Sequence, residues 1–140
     1  MKQLQFLYDY RGFGDLQLLD DDMVVIDDYE SRTGSRDRAG KLRNAIDPNH
    51  EWAIIEPSAD TVEDGMWVRS SENGWKIRLF RKGNAGWEYT HYLIHPDGGK
   101  GGTLGCIGIL GTDALSFRHE LDDILKEQGI INVSIHKTEE

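Results

Sequence analysis

The chain contains one cysteine, Cys106, and a histidine, His95, stands eleven positions before it. A cysteine attacks carbonyl groups as the thiolate, and a free thiol is mostly protonated near neutral pH. A neighbouring imidazole can accept the thiol proton, which gives the ion pair that cysteine acyl-transfer enzymes use. The two residue types therefore favour a nucleophile at Cys106 with His95 as its general base.

Glycine dominates the segment between these two residues, at positions 98, 99, 101, 102 and 105. Glycine has no side chain and adopts positive φ without strain, so backbone N–H groups in such a segment can face a developing oxyanion. We expect residues 96–105 to form a hairpin loop that brings His95 back to Cys106. Gly105, directly before the thiol, is the expected oxyanion-hole residue.

The same residues also agree with a site that performs no chemistry. A free cysteine is among the most deeply buried residue types and often serves as a small apolar side chain. Histidine within a dozen residues of cysteine is common, and the glycine segment alone could be a mobile hairpin. Spacing leaves both interpretations open.

The motif "IHPDGG…GTLGCIGI" (94–99 and 102–109) resembles the catalytic signature of the L,D-transpeptidase (YkuD-like) family. In that signature a strand-ending His and a Gly-containing turn precede Ser or Thr, one residue, Gly, Cys and an aliphatic residue. The spacing is similar to that of compact members with "IHGG…GSxGCI", which include toxin effectors delivered by type VI secretion. The predicted order of strands, loop and helix also follows the family.

The resemblance implies a definite chemistry. Family members attack the carbonyl between meso-diaminopimelate (or L-lysine) and a D-amino acid in peptidoglycan stem peptides. They form a thioester on the cysteine and pass the acyl group to an amine or to water. By position Cys106 would be the nucleophile and His95 the base, while the N–H groups of Gly105 and Cys106 would form the oxyanion hole. The residue that orients the imidazole would be Pro96, through its carbonyl.

Further residues are expected to contact substrate: Thr103 and Gly99 in the motif, and His91 and Tyr89 on the strand face of His95. A metal pair of His91 with His95 is the weaker interpretation, since no third ligand is nearby. We expect no metal and no cofactor.

Three positions depart from the family pattern. Leu104 replaces a second His common in cross-linking members, Pro96 and Asp97 begin the turn that usually begins with Gly, and Gly108 follows "GCI" where many members have Arg, Asn or Asp. The last change removes an expected contact to a substrate carboxylate. An arginine of the 32–43 segment or Arg78 is a candidate replacement.

Hydrophobic periodicity predicts a single mainly β domain over residues 1–140, which the resemblance identifies as an L,D-transpeptidase-like β-sandwich or barrel with one C-terminal helix followed by a strand. Alternation in 86–95 places Trp87, Tyr89, His91, Leu93 and His95 on one face. The helix is predicted over 113–129, capped by Thr112 or Asp113 and ended by Gly129. We expect strands at 4–10, 15–19, 23–29, 51–57, 65–70, 74–82, 86–95 and 130–135, and a long exposed loop at 31–50 with a short helical turn near Leu42 to Ile46.

Composition narrows the partners and the location. The net charge of −9 argues against nucleic acid, because binding phosphates needs a basic surface. No apolar run approaches ~18 residues, so we expect no membrane span. We also expect no secretory signal peptide, since the N-terminus has no continuous apolar stretch. A cytoplasmically made protein of this kind would act in the periplasm or cell wall after delivery by a phage or a secretion machine, with a possible immunity or carrier protein as partner.

The sequence therefore predicts cysteine-dependent acyl transfer on peptidoglycan stem peptides, with an L,D-transpeptidase, L,D-carboxypeptidase or L,D-endopeptidase outcome. The alternative is a non-catalytic structural or peptidoglycan-binding module of a phage or secretion assembly. A Cys–His hydrolase acting on another amide is a third hypothesis. An ion-paired Cys106 would alkylate quickly at pH ~6, where an ordinary thiol is slow.

Overall fold

The structure is a computed structural model, and it describes residues 1–61, 74–97, 103–111 and 113–138. For residues 103–105 it describes the backbone alone. The strands are β1 (Gln3–Tyr8), β2 (Phe13–Leu19), β3 (Val25–Arg36), β4 (Leu42–Arg43), β5 (Trp52–Ile54), β6 (Ala59–Thr61), β7 (Gly74–Gly83), β8 (Gly86–Pro96), β9 (Thr103–Ile109) and β10 (Ile131–Lys137). Helix α1 (Ala114–Gln128) lies between β9 and β10.

Eight of these strands form a closed barrel in the order β2, β1, β10, β5, β7, β8, β9, β3, and the pairing of β3 with β2 completes the circle. Strand β4 adds to β3 and β6 adds to β7. Two of the pairs of adjacent strands are parallel, β1 with β10 and β8 with β9. The other pairs are antiparallel. The prediction of a mainly β fold with one helix is confirmed for the described residues.

Alternation along the strands, interrupted by bulges, sorts most side chains into an inner core and an outer face. In β7 the residues Trp75, Ile77 and Leu79 are buried in the core, as their period-two spacing predicts. Helix α1 contributes its apolar side to the same core: the Phe117 ring lies 4.8 Å from that of Tyr29 and 6.2 Å from that of Trp75. The interior is therefore filled by strand and helix side chains, and any site on the strands must use the outer face or the rims.

The ends of α1 agree with the predicted boundaries. Gly129 has a φ of 78° and donates its N–H to the Leu125 carbonyl at 2.7 Å, so it ends the helix as expected for glycine in the left-handed region. Asp113 precedes the first helical residue but makes no side-chain capping hydrogen bond. Thr112, the other predicted cap, lies outside the described residues. Within the described ranges, no helix has the length and apolar content to cross a membrane.

The predicted loop at 31–50 is wrong in its first part. Strand β3 continues to Arg36, and Ser31 and Thr33 occupy core-facing positions with almost no exposure. Their polar atoms are satisfied locally: the Thr33 hydroxyl oxygen accepts the Ile46 N–H at 3.0 Å, and Ser31 donates to the Tyr29 carbonyl. Small polar residues on the inner face interrupt the apolar alternation, which is why the pattern indicated a loop.

The expected helical turn near Leu42 is instead the short strand β4, whose Leu42 pairs with Arg36. Strand β6 was not predicted. The strand predicted at 65–70 lies outside the described residues.

Candidate functional site

His95 and Cys106 lie on adjacent strands and share the outer face of the barrel. Strands β8 and β9 pair Ile94 with Ile107 and His95 with Gly108, and Cys106 directly precedes the first of these pairs. The Leu93 N–H donates to the Cys106 Sγ at 3.4 Å. Paired residues project to the same side, and Ile94 and Ile107 both point into the core. Alternation therefore places the side chains of His95 and Cys106 on the outer face of two adjacent strands.

The hairpin predicted between these two residues is wrong, because β8 and β9 run parallel. A hairpin would make its two strands antiparallel. Glycine content predicts a turn-rich connection, but it carries no information about the direction of the next strand. The parallel arrangement still places His95 and Cys106 on adjacent strands, because His95 pairs with Gly108, two residues after Cys106.

The imidazole of His95 has a defined orientation. Its side chain is buried, and Nδ1 lies 2.9 Å from the Pro96 carbonyl oxygen. A carbonyl oxygen only accepts hydrogen bonds, so Nδ1 carries a proton and donates it. In the neutral ring Nε2 is then the nitrogen that can accept a proton. Pro96 thus orients the imidazole through its backbone, which is the contact that the motif implied.

The Cys106 thiol is half-buried, and burial raises its pKa above the ordinary value. The Leu93 N–H and the positive charge of Arg78 act in the opposite direction without overcoming burial. The resting thiol is therefore protonated at neutral pH. This is unlike the ion pair that would alkylate quickly at pH ~6, and the thiol must lose its proton before or during attack.

The backbone of β9 departs from regular pairing at the thiol. Strand β3 pairs Thr33 with Ile107 and then Gly34 with Thr103, so residues 104–106 are absent from the register between them. Extra residues in a bulge redirect the backbone, and such bulges are frequent beside active sites. Gly105 lies in this bulge, directly before Cys106. The Thr103 side chain is not described, and Gly99 lies outside the described residues.

Arg32 on β3 forms an ion pair with Asp97, at the end of β8, across the intervening strand β9. Arg32 is in register with Gly108, and Gly108 is in register with His95. The guanidinium Nη2 donates to Asp97 Oδ1 at 3.1 Å, and Nε also contacts the carboxylate. Gly108 has no side chain to obstruct the pair. Two of the departures from the family motif, Asp97 and Gly108, are therefore parts of one contact.

This ion pair also holds the backbone beside His95. The Asp97 N–H donates to the Ile109 carbonyl at 2.9 Å, while the Asp97 carboxylate is held by Arg32. Pro96, whose carbonyl orients the imidazole, lies between His95 and this doubly anchored residue. Sequence reasoning missed the contact because the register of β3 with β9 is not visible in the sequence.

Tyr89 and His91 lie on the same strand face as His95 but further from the thiol. Both are exposed, and their rings stand 5.6 Å apart. Arg78, in register with Leu93, connects them to the site: its guanidinium carbon lies 4.3 Å from the Tyr89 ring centre, and its Nη1 donates to the Thr90 carbonyl. The outer face therefore offers a strip that begins at Cys106 and continues through Arg78 to Tyr89.

Metal ligation has no support in the ranges that the structure describes, where no three His, Cys, Asp or Glu side chains are grouped for an ion. Among known proteins, neither a family model nor a curated sequence matches the chain.

Proposed function

We propose that the protein is an L,D-transpeptidase-like cysteine acyltransferase that acts on peptidoglycan stem peptides. The observation that carries the proposal is the common outer face of Cys106 and His95, with the imidazole oriented by Pro96 so that Nε2 is its basic nitrogen. The motif resemblance supplies the substrate class. A closed, mainly β barrel with a helix before its last strand is compatible with that family's order of elements.

The first half of the reaction follows from the protonated thiol. His95 Nε2 accepts the Cys106 proton as Sγ attacks the carbonyl carbon of the donor peptide. The resulting oxyanion would be stabilised by the N–H groups of Gly105 and Cys106, in the segment that leaves the regular ladder. Collapse breaks the carbon–nitrogen bond, the imidazolium gives its proton to the leaving amine, and a thioester remains on Cys106.

The second half regenerates the enzyme. An acceptor amine or water loses a proton to His95 Nε2 and attacks the thioester carbonyl. The carbon–sulfur bond breaks, and the thiolate recovers its proton from the imidazolium. An amine yields a cross-link and water yields a trimmed peptide, so one acyl-enzyme serves transpeptidase, carboxypeptidase and endopeptidase outcomes.

Peptidoglycan lies outside the cytoplasmic membrane, so we propose delivery to the periplasm or cell wall by a phage or a secretion machine. An immunity or carrier protein is the partner class that fits such delivery.

A second candidate is a non-catalytic module that retains the fold. The raised pKa of Cys106 favours this alternative, because a buried neutral thiol is what a structural cysteine provides. Three features support catalysis instead: the orientation of His95, the N–H donor on the sulfur, and the positive Arg78, which would all assist a transient thiolate.

Muropeptide analysis separates the two. The parent and Cys106→Ala proteins are incubated with purified disaccharide-tetrapeptide, and the products are identified by mass spectrometry. We expect loss of the terminal D-Ala or a new cross-link with the parent alone. An unchanged substrate with both proteins would favour the non-catalytic module.

A further inference from the structure

A groove lined by three arginines lies one strand away from Cys106. It has a volume of about 420 Å³, and its walls come from the β1–β2 turn, the first residue of β2 and strand β3: Arg11, Phe13, Arg32, Thr33, Gly34, Ser35 and Arg36. We call it the arginine groove. Three arginines line this groove, although the net charge of the chain is −9.

The two walls of the groove are joined by close backbone contacts. The Thr33 N–H donates to the Gly12 carbonyl at 2.8 Å. Gly12 has a φ of 87°, and a Cβ built on it would stand 2.2 Å from the Thr33 carbonyl oxygen. Only glycine allows this approach, so the turn is held against β3 with Arg11 beside Phe13. The groove is thus a built feature of the fold.

The arginines have unequal partners within the described residues. Arg11 donates from Nε and Nη2 to Asp9, which leaves Nη1 available. Arg32 is paired with Asp97. Arg36 is exposed and forms no ion pair or hydrogen bond with any described residue. The nearby Asp37 is already engaged by Arg43, so it does not neutralise Arg36.

This arrangement has the chemistry of an oxyanion site. Guanidinium groups bind carboxylate and phosphate through paired N–H donors, and an unneutralised arginine beside two held ones supplies net positive charge. Phe13, 38% exposed, adds an apolar wall for the part of the ligand next to its charge.

We propose that the arginine groove binds an oxyanionic group of the ligand that Cys106 attacks. The inference rests on the proposed function for the identity of that ligand. Arg32 connects the groove to the site, because it is in register with Gly108 and two strands from His95. At about 4.8 Å between neighbouring strands, the anion would lie roughly 10 Å from the reacting carbonyl. The ligand must therefore be long enough to span the two points.

Binding to the Cys106→Ala protein tests the groove without requiring turnover. Amide resonances are followed by NMR while three probes are added: N-acetyl-D-alanine, its uncharged C-terminal amide, and inorganic phosphate. We expect saturable shifts at groove residues with the free acid and none with the amide. Saturation by phosphate in place of the acid would also support the groove and would identify a phosphorylated ligand as its source.

Arg36→Gln is the decisive variant, with Arg38→Gln as its matched control. Both residues are exposed and close in sequence, but Arg38 does not line the groove. Arg36→Gln removes one charge-assisted contact and should lower the affinity for the anion about tenfold. Arg38→Gln should change that affinity less than twofold. Equal binding of acid and amide, or equal effects of the two variants, would overturn the inference. Groove binding without any acyl-enzyme would instead contradict the proposed reaction.

Discussion

The guanidinium of Arg32 reaches the carboxylate of Asp97 across strand β9, at the row where Gly108 has no side chain. The Asp97 side chain is only 4% exposed and that of Arg32 is 20% exposed, so the pair is largely removed from water. Asp97 directly follows Pro96, whose carbonyl orients His95. The ion pair therefore stabilises the barrel and also fixes the backbone beside His95.

Breaking this pair should destabilise the protein. Arg32→Gln leaves the buried Asp97 carboxylate without its guanidinium. Asp97→Asn leaves the Arg32 guanidinium without its carboxylate. We expect each to lower the free energy of unfolding by ~2–4 kcal/mol. The double variant should lose less than the sum, because neither charge then remains alone. Urea denaturation of the four proteins measures this coupling, and strictly additive losses would contradict it.

Cys106 should alkylate slowly near neutral pH. Burial raises the pKa of the thiol, so the thiolate fraction at pH 7 is below that of a free cysteine. The iodoacetamide rate should still rise with pH in the range where that of a free cysteine, with a pKa near ~8.5, has levelled off. Arg78→Gln removes a charge that favours the thiolate and should slow alkylation further. Lys82→Gln, on the same strand but beside Trp87, is the control and should leave the rate unchanged. Rapid reaction at pH 6 would contradict this prediction.

Stability should fall as pH rises from about 5 to 7, because of Glu120 on α1. Burial, then hydrogen bonding and repulsion from Asp27, raise the pKa of Glu120 from 4.5 to about 7. The folded state binds more protons than the unfolded state across this interval, so the free energy of unfolding decreases as pH increases through it.

Glu120→Gln should remove much of this decrease. The uncharged amide imitates the protonated acid, so we expect the Tm to rise by a few degrees at pH 8 and to change little at pH 4.5. Calorimetry at the two pH values is the measurement. A variant that is less stable than the parent at pH 8 would show that the charged carboxylate is favourable.

Gly12 should tolerate alanine poorly. The added Cβ would meet the Thr33 carbonyl oxygen, and the φ of 87° adds strain of its own. Gly40→Ala is the matched control, since Gly40 has a φ of 80° but open space around it. We expect about 1 kcal/mol of destabilisation from the left-handed backbone in the control, and at least about 2 kcal/mol at Gly12. Equal losses in urea denaturation would contradict the close contact.

Local alternation predicted the strands that carry the site, but not how they meet. The period-two pattern of 86–95 correctly separates the faces of β8, and helical spacing predicts α1 to within a residue or so. The pattern does not predict the second half of strand β3. Ser31 and Thr33 are polar residues whose burial depends on hydrogen bonds to Tyr29 and Ile46.

Long-range register explains what sequence reasoning missed in the site. The motif named His95 and Cys106, and their common face follows from pairing between β8 and β9. The contact of Arg32 with Asp97 needs three strands in register, and nothing local in the chain encodes it. Asp97 and Gly108 therefore looked like independent departures from a motif.

Cys106 should carry the acyl group as a thioester during turnover. Intact-protein mass spectrometry, after brief incubation with disaccharide-tetrapeptide and acid quench, tests this directly, with peptide mapping to locate any adduct. We predict a transient mass increase on Cys106 equal to the mass of the donor minus its terminal D-Ala. The Cys106→Ala protein should show no such adduct. The His95→Gln protein should form it at least about a hundredfold more slowly. Full muropeptide activity in the Cys106→Ala protein would contradict the proposed function.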